Sequence, residues 1–177
     1  MLGCYTWIMK LLKKVYTYAE NQSELQKLID KDKYQVFILM SSAALPFITF
    51  HHPWLVINEK GNLSRFEIRH THNKDRALGY LHIDAQEFFQ GLPLFYGFNH
   101  FFQPTKLIKL IEGDDNSLAN RIVEFIKDSP KKYELLGKYS FLGPNCGTYV
   151  EWVIDNFPET DVKLPWTAIG KNYFKKV

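Results

Sequence analysis

Two runs of strand-forming residues, Phe47 to Ile57 and Leu63 to His70, flank the short polar stretch Asn58-Glu59-Lys60-Gly61-Asn62. β-Branched and aromatic side chains suit a pleated surface, and a short glycine-containing loop joins antiparallel neighbours, so the stretch predicts a β-hairpin. Gly61 suits the left-handed backbone that such a loop requires. Just upstream, Tyr34 to Met40 (YQVFILM) reads as a buried strand, and Ser41 to Leu45 as a small-residue connection. Helical patterns lie on either side of this block. The class implied is α+β, an antiparallel sheet packed on helices.

The helices follow from apolar spacing. Residues 1 to 33 read as an N-terminal helical extension, and 34 to 177 as a single compact domain. The first helix carries Trp7, Ile8, Leu11, Leu12 and Val15 on one face, and the second is capped by Ser23 with Leu25, Leu28 and Ile29 inward. Later, Asp115 to Lys127 reads as a helix capped by Asp115 or Ser117 and ended by Pro130. Lys106 to Ile111 alternates as a strand does, and His82 to Asp84 reads as a short strand. Gly91 to Gln103 is aromatic without clear period and reads as a long connection over a pocket.

Composition narrows the function classes. A 177-residue chain with 14 Phe and 10 Tyr can build one aromatic-rich core. A net charge of +3, with both signs dispersed, lacks the concentrated basic stripe of a nucleic-acid binder, so no nucleic-acid partner is expected. Cys4 and Cys146 are too few for a disulfide framework or a cysteine-based zinc site. The lysines at 10, 13 and 14 follow the first apolar stretch, the reverse of a secretory signal. The apolar run Val36 to Phe50 is shorter than the roughly 20 residues a membrane helix needs, and Pro46 interrupts it. A soluble chain, cytoplasmic by default, is expected. The lysine-rich first helix leaves peripheral membrane contact open.

The residues that could carry chemistry begin at a helix start. Cys146, Tyr149, Val150, Val153 and Phe157 form one helical stripe, and Asn145 is a good N-cap. A thiol in the first turn sits among unpaired N–H groups at the positive end of the helix dipole, which favours thiolate. The same N–H groups can stabilise an oxyanion. In the hairpin, a loop centred near Glu59-Lys60-Gly61 sets His52 opposite Glu67 or Ile68, depending on register. In the first register a carboxylate lies beside the imidazole and completes a Cys146-His52-Glu67 arrangement. A slip of one residue turns Glu67 to the other face. The plainer account stands beside it: an apolar helix stripe is where an inert core cysteine belongs.

His52-Pro53-Trp54 on an early strand and Pro144-Asn145-Cys146-Gly147-Thr148-Tyr149-Val150 at a late helix start resemble the circularly permuted branch of papain-like proteins. In that branch, which includes relatives of NlpC-like peptidases and the lecithin:retinol acyltransferases, histidine precedes cysteine. A closer resemblance is to the bacterial domain-of-unknown-function family 3750. Its H-x-W strand, G-P-N-S-N-T-F-V helix start and L-P-P-T-A-I-G-K-D-W-L tail have counterparts in His52–Trp54, Gly143–Val150 and Leu164–Phe174. The family has serine at the position of Cys146 and asparagine at that of Gly147.

The resemblance implies a permuted papain-like fold over roughly residues 34 to 174. It also implies a thiol hydrolase or acyltransferase acting on an amide, ester or thioester. Cys146 would be the nucleophile, His52 the proton carrier and Glu67 its orienting acid, with a peptide, cell-wall peptide or lipid acyl group as substrate and no cofactor. A second possibility is a non-catalytic ligand- or protein-binding module that keeps the cleft, lined by Phe88, Phe89, Phe95, Tyr96, Phe98, Phe101 and Phe102. A third, remote one is a metal site built from His70 and His72 with help from His51, His52 or His82.

Overall fold

Strand β1 (Tyr34–Ser42) runs between β2 (His51–Glu59) and a late strand, and both of its faces are covered by protein. The computed structural model describes residues 21–95 and 98–174. Its main sheet is antiparallel, in the order β4-β3-β2-β1-β7, with β3 at Asn62–Ile68, β4 at Leu81–Ile83 and β7 at Lys106–Gly113. The helices are α1 (Leu118–Lys127), the short α2 (Ser129–Lys132) and α3 (Cys146–Asp155).

Burial on both faces explains the unbroken apolar runs of β1 and β2, since a half-exposed strand would alternate. Val36, Ile38, Leu55, Ile57, Phe66 and Ile68 form one core with Ile122, Val123 and Ile126 of α1 and Tyr149, Val150 and Val153 of α3. On the opposite face Phe37, Leu39, Trp54 and Val56 pack with Leu25 and Phe89. The fold is α+β, an antiparallel sheet packed against helices. Among the described residues no helix is long and apolar enough to cross a membrane.

Several expectations need correction. The helix expected to start at Ser23 is already formed at residue 21 and ends at 26, so Ser23 lies inside it. The first expected helix falls outside the described residues. The connection expected over residues 91–103 contains a β-hairpin, β5 (Pro93–Phe95) with β6 (Phe98–Phe102). Pro130 does not stop α1, which ends at Lys127 and is capped by Asp128. Instead it occupies the first turn of α2, where a missing N–H costs nothing. Ser117, not Asp115, caps α1, its hydroxyl accepting from the Asn120 N–H at 3.2 Å.

The β2–β3 turn is tighter than expected. Glu59 pairs with Asn62, and only Lys60 and Gly61, both at positive φ, make the turn. The ladder ends at Leu55 and Phe66. Continued, it would set Glu67 opposite Trp54, one diagonal step from His52, rather than opposite His52 itself. A two-residue displacement keeps both side chains on one face. Beyond the end of this ladder, β2 still runs beside β1 while its β3 side opens, and that opening holds the candidate site.

Candidate active site

Cys146 owes its place to the way α3 begins. Asn145 has extended backbone, and its side-chain oxygen accepts the N–H groups of Gly147 at 2.9 Å and Thr148 at 3.3 Å. In return the Asn145 N–H donates to Thr148 Oγ1 at 3.2 Å, closing a capping box. The cap leaves the N–H of Cys146 outside it. Cys146 is half-buried and packs at the rim of the helix-side core with the stripe it opens.

The segment Leu164 to Phe174 holds this helix start in place. Thr148 Oγ1 donates to the carbonyl of Gly170 at 2.9 Å. Gly170 sits at φ +87°, and a Cβ there would overlap the Asn145 side chain, so glycine is required on two counts. A Cβ at Gly147 would likewise overlap the carbonyl of Ile169. Further along, Thr167 accepts the backbone N–H of His51 at 2.9 Å, and its hydroxyl meets His51 Nδ1 at 2.7 Å. One segment therefore ties the start of α3 to the start of β2, the two elements that carry Cys146 and His52.

His52 is buried at the second position of β2, and its Nε2 lies 2.9 Å from Glu67 Oε2. The Cys146 sulfur is within hydrogen-bonding reach of the same imidazole. With Nε2 engaged by Glu67, Nδ1 is the nitrogen left for the thiol. Burial works against a charged imidazole. The Cys146 sulfur, through charge and hydrogen bond, and then Glu67 outweigh it and push His52 up to about 9. The structure thus brings together the three residues read from spacing.

Glu67 is also buried, and burial alone would raise its pKa. Arg65, the hydrogen bond and charge of His52, and Arg69 reverse this and bring it down to about 2. Arg65 donates to Glu67 Oε2 at 2.9 Å and to the carbonyls of Glu87 and Gln90 at 2.7 and 2.6 Å. Its guanidinium lies over the Trp54 ring, whose indole N–H donates to the Phe88 carbonyl at 3.0 Å. The H-x-W pattern thereby acquires a physical reason. Trp54 is the shelf for the cation that holds the carboxylate that holds His52.

A cavity of about 500 Å³ opens over these groups, within the range that buries a small-molecule ligand. Cys146, His52, Arg69, Gln86, Phe50 and Phe141 are among its walls. Sequence reasoning missed Arg65, Arg69 and Gln86. A charge on a strand reads as a solvated position, and nothing in the sequence marks Arg65 as fully buried. Gln86 lies in an irregular stretch after β4, and its side-chain oxygen is buried with no hydrogen-bond partner among the described residues.

The aromatic residues expected to line a groove divide differently. Phe89 belongs to the core with Phe37, their rings 5.3 Å apart, whereas Phe47, Phe50 and Phe141 line the cavity. The histidines suggested for a metal are engaged elsewhere. His82 Nε2 meets the Thr71 carbonyl at 2.7 Å, and the ring of His72 packs against Tyr80. Among the described residues no group of three or more His, Cys, Asp or Glu is arranged to hold a metal ion.

No curated protein and no solved structure matches this chain. Residues 35–173, which span the sheet, the cavity and the clamping segment, match one family throughout, and the chain belongs to that family, DUF3750, described as proteins of unknown function.

Proposed function

We propose that the protein is a thiol hydrolase or acyltransferase of permuted papain-like type, acting on an amide, ester or thioester. The observation that carries the reading is the run of contacts from Glu67 through His52 to the Cys146 sulfur, in the wall of a cavity. The order along the chain, histidine on a strand before cysteine on a helix, agrees with the permuted arrangement.

The chemistry follows from these groups. The Cys146 sulfur gives its proton to His52 Nδ1 and attacks the carbonyl carbon. The imidazolium is favoured because Glu67 is ionised against Nε2. The carbonyl oxygen becomes an oxyanion that accepts from the Cys146 N–H at the helix start, and the side-chain NH2 of Gln86, a residue lining the same cavity, is the candidate second donor. As the tetrahedral intermediate collapses, His52 returns the proton to the leaving amine, alcohol or thiol, and the acyl group remains on sulfur as a thioester. Water or a second acceptor, deprotonated by the same imidazole, then removes the acyl group.

The test is alkylation by iodoacetamide at pH 6 to 8, mapped to Cys146 by mass spectrometry, in wild type and His52→Ala. The reading expects Cys146 to react faster than free glutathione at pH 6, and to lose that advantage without His52. An unreactive Cys146, or one indifferent to His52, overturns it. A binding module that keeps the cleft is the second reading. The apolar wall formed by Phe47, Phe50 and Phe141 favours it, and an inert thiol in a ligand-binding chain would select it.

A further inference from the structure

The two sides of the cavity differ in chemistry, and the strand order explains how. On the β1 side, past Ser42, the wall is apolar, made by Ala43, Phe47 and Phe50 with Phe141 from the loop before α3. The rings of Phe47 and Phe50 lie 5.3 and 5.6 Å from that of Phe141. On the β3 side, past Ile68, the wall is Arg69 and His70. His52, on β2, stands on the strand between the two.

The cavity is also electrically one-sided. Among the described residues no carboxylate is in its walls. Behind it, Arg65 and Arg69 both lie against Glu67, at 2.9 and 4.0 Å. His51 and His70 on the cavity walls are held below their usual range, in both cases by burial first, then by Lys106 for His51 and by Arg69 for His70. Arg69 keeps donors to spare. Its nearest contact with Glu67 is 4.0 Å, beyond good hydrogen-bond length, and its side chain is 26 % exposed.

We propose that the site takes an amphiphilic carboxylate. The ligand is an acyl compound whose apolar part lies against Phe47, Phe50 and Phe141 and whose carboxylate pairs with Arg69. A guanidinium fork matches a carboxylate in plane and spacing, so the choice of arginine favours this anion. The carbonyl joining the two parts then falls near His52, and its reaction there rests on the thiol reading given above. Binding does not.

The experiment separates the two. Calorimetric titration of the Cys146→Ala chain compares N-octanoylglycine with its neutral amide, N-octanoylglycinamide. The acid should bind at least tenfold tighter, with an advantage that shrinks as salt is raised. Arg69→Gln should abolish the difference, Arg69→Lys should retain part of it, and Phe141→Ala should weaken both ligands alike. Equal binding of acid and amide, absence of binding by both, or an acid preference that survives Arg69→Gln overturns the proposal. Acid-selective binding without octanoyl release by the wild type would uphold this inference and count against thiol chemistry. Acyl release from neutral esters with no acid preference would do the reverse.

Discussion

The guanidinium of Arg65 lies 4.4 Å from the ring centre of Trp54 while donating to Glu67 at 2.9 Å, so a fully buried cation is held between an aromatic face and a carboxylate. Both partners are needed, because an arginine in the interior is tolerated only when its charge and donors are matched. The pair stands one step behind the imidazole, and its removal should be felt there.

Arg65→Met should therefore destabilise the fold by about 3–5 kcal/mol, the usual cost of stranding one member of a buried ion pair. Trp54→Phe removes the shelf in part, together with the indole bond to Phe88, and should cost about 2 kcal/mol. Urea denaturation of both variants checks the order. A smaller loss for Arg65→Met than for Trp54→Phe would show that the cation is not what holds Glu67.

Glu67→Gln keeps the shape and removes the charge. The His52 midpoint should fall from about 9 toward the ordinary histidine range of 6.5, read from the imidazole proton shifts by NMR. Any acyl-transfer activity should drop about 10²-fold or more, as expected when a proton carrier loses its orienting group. An unmoved midpoint would place the imidazolium under the control of Cys146 alone.

The same two shifts give stability a pH window. His52 is raised from 6.5 to about 9, so its contribution is complete below about 6.5 and is lost as pH rises through 9. Glu67 is lowered from 4.5 to about 2, so its contribution is complete above about 4.5 and is lost as pH falls through 2. From these two groups, stability should be flat between about pH 4.5 and 6.5 and decline on both sides. Each limb should amount to a few kcal/mol, at about 1.4 kcal/mol per pKa unit. Urea midpoints from pH 3 to 10 check this, and in His52→Ala the alkaline limb should flatten.

Gly147→Asn should be poorly tolerated, costing about 1–3 kcal/mol through displacement of the Ile169 carbonyl. Asn145→Ala should cost about 1 kcal/mol through loss of the helix cap. The readout is thermal unfolding with protease nicking after residue 164, since both changes loosen the segment that ends at Phe174. A stable Gly147→Asn chain would mean that the segment can shift outward at little cost.

Much of this layout was legible because its signals were local. The stripe opened by Cys146 and the polar Asn145 before it define a helix start without reference to anything else. The hairpin was visible, but its register was not, because Lys60-Gly61 lacks the asparagine or aspartate that pins a two-residue turn. The outcome for His52 and Glu67 survived because the displacement was an even number of residues. Burial of Arg65 was not legible, since it depends on Trp54, Glu67 and two carbonyls more than 20 residues downstream. The hairpin of β5 and β6 escaped for another reason: Pro93 and a cluster of aromatic residues hide the period-two alternation that marks a strand.

The clamp of residues 164–174 on the start of α3 also sets an order in time. During synthesis His52 and Glu67 leave the ribosome first and can pair as soon as β2 and β3 form, while Cys146 follows on a helix start that is capped but not yet clamped. Only when Gly170 has emerged can its carbonyl accept the Thr148 hydroxyl and its bare α-carbon settle on Asn145. A nascent chain thus carries its imidazole and carboxylate well before its thiol is seated, and the cysteine is brought into register by a segment that emerges after it.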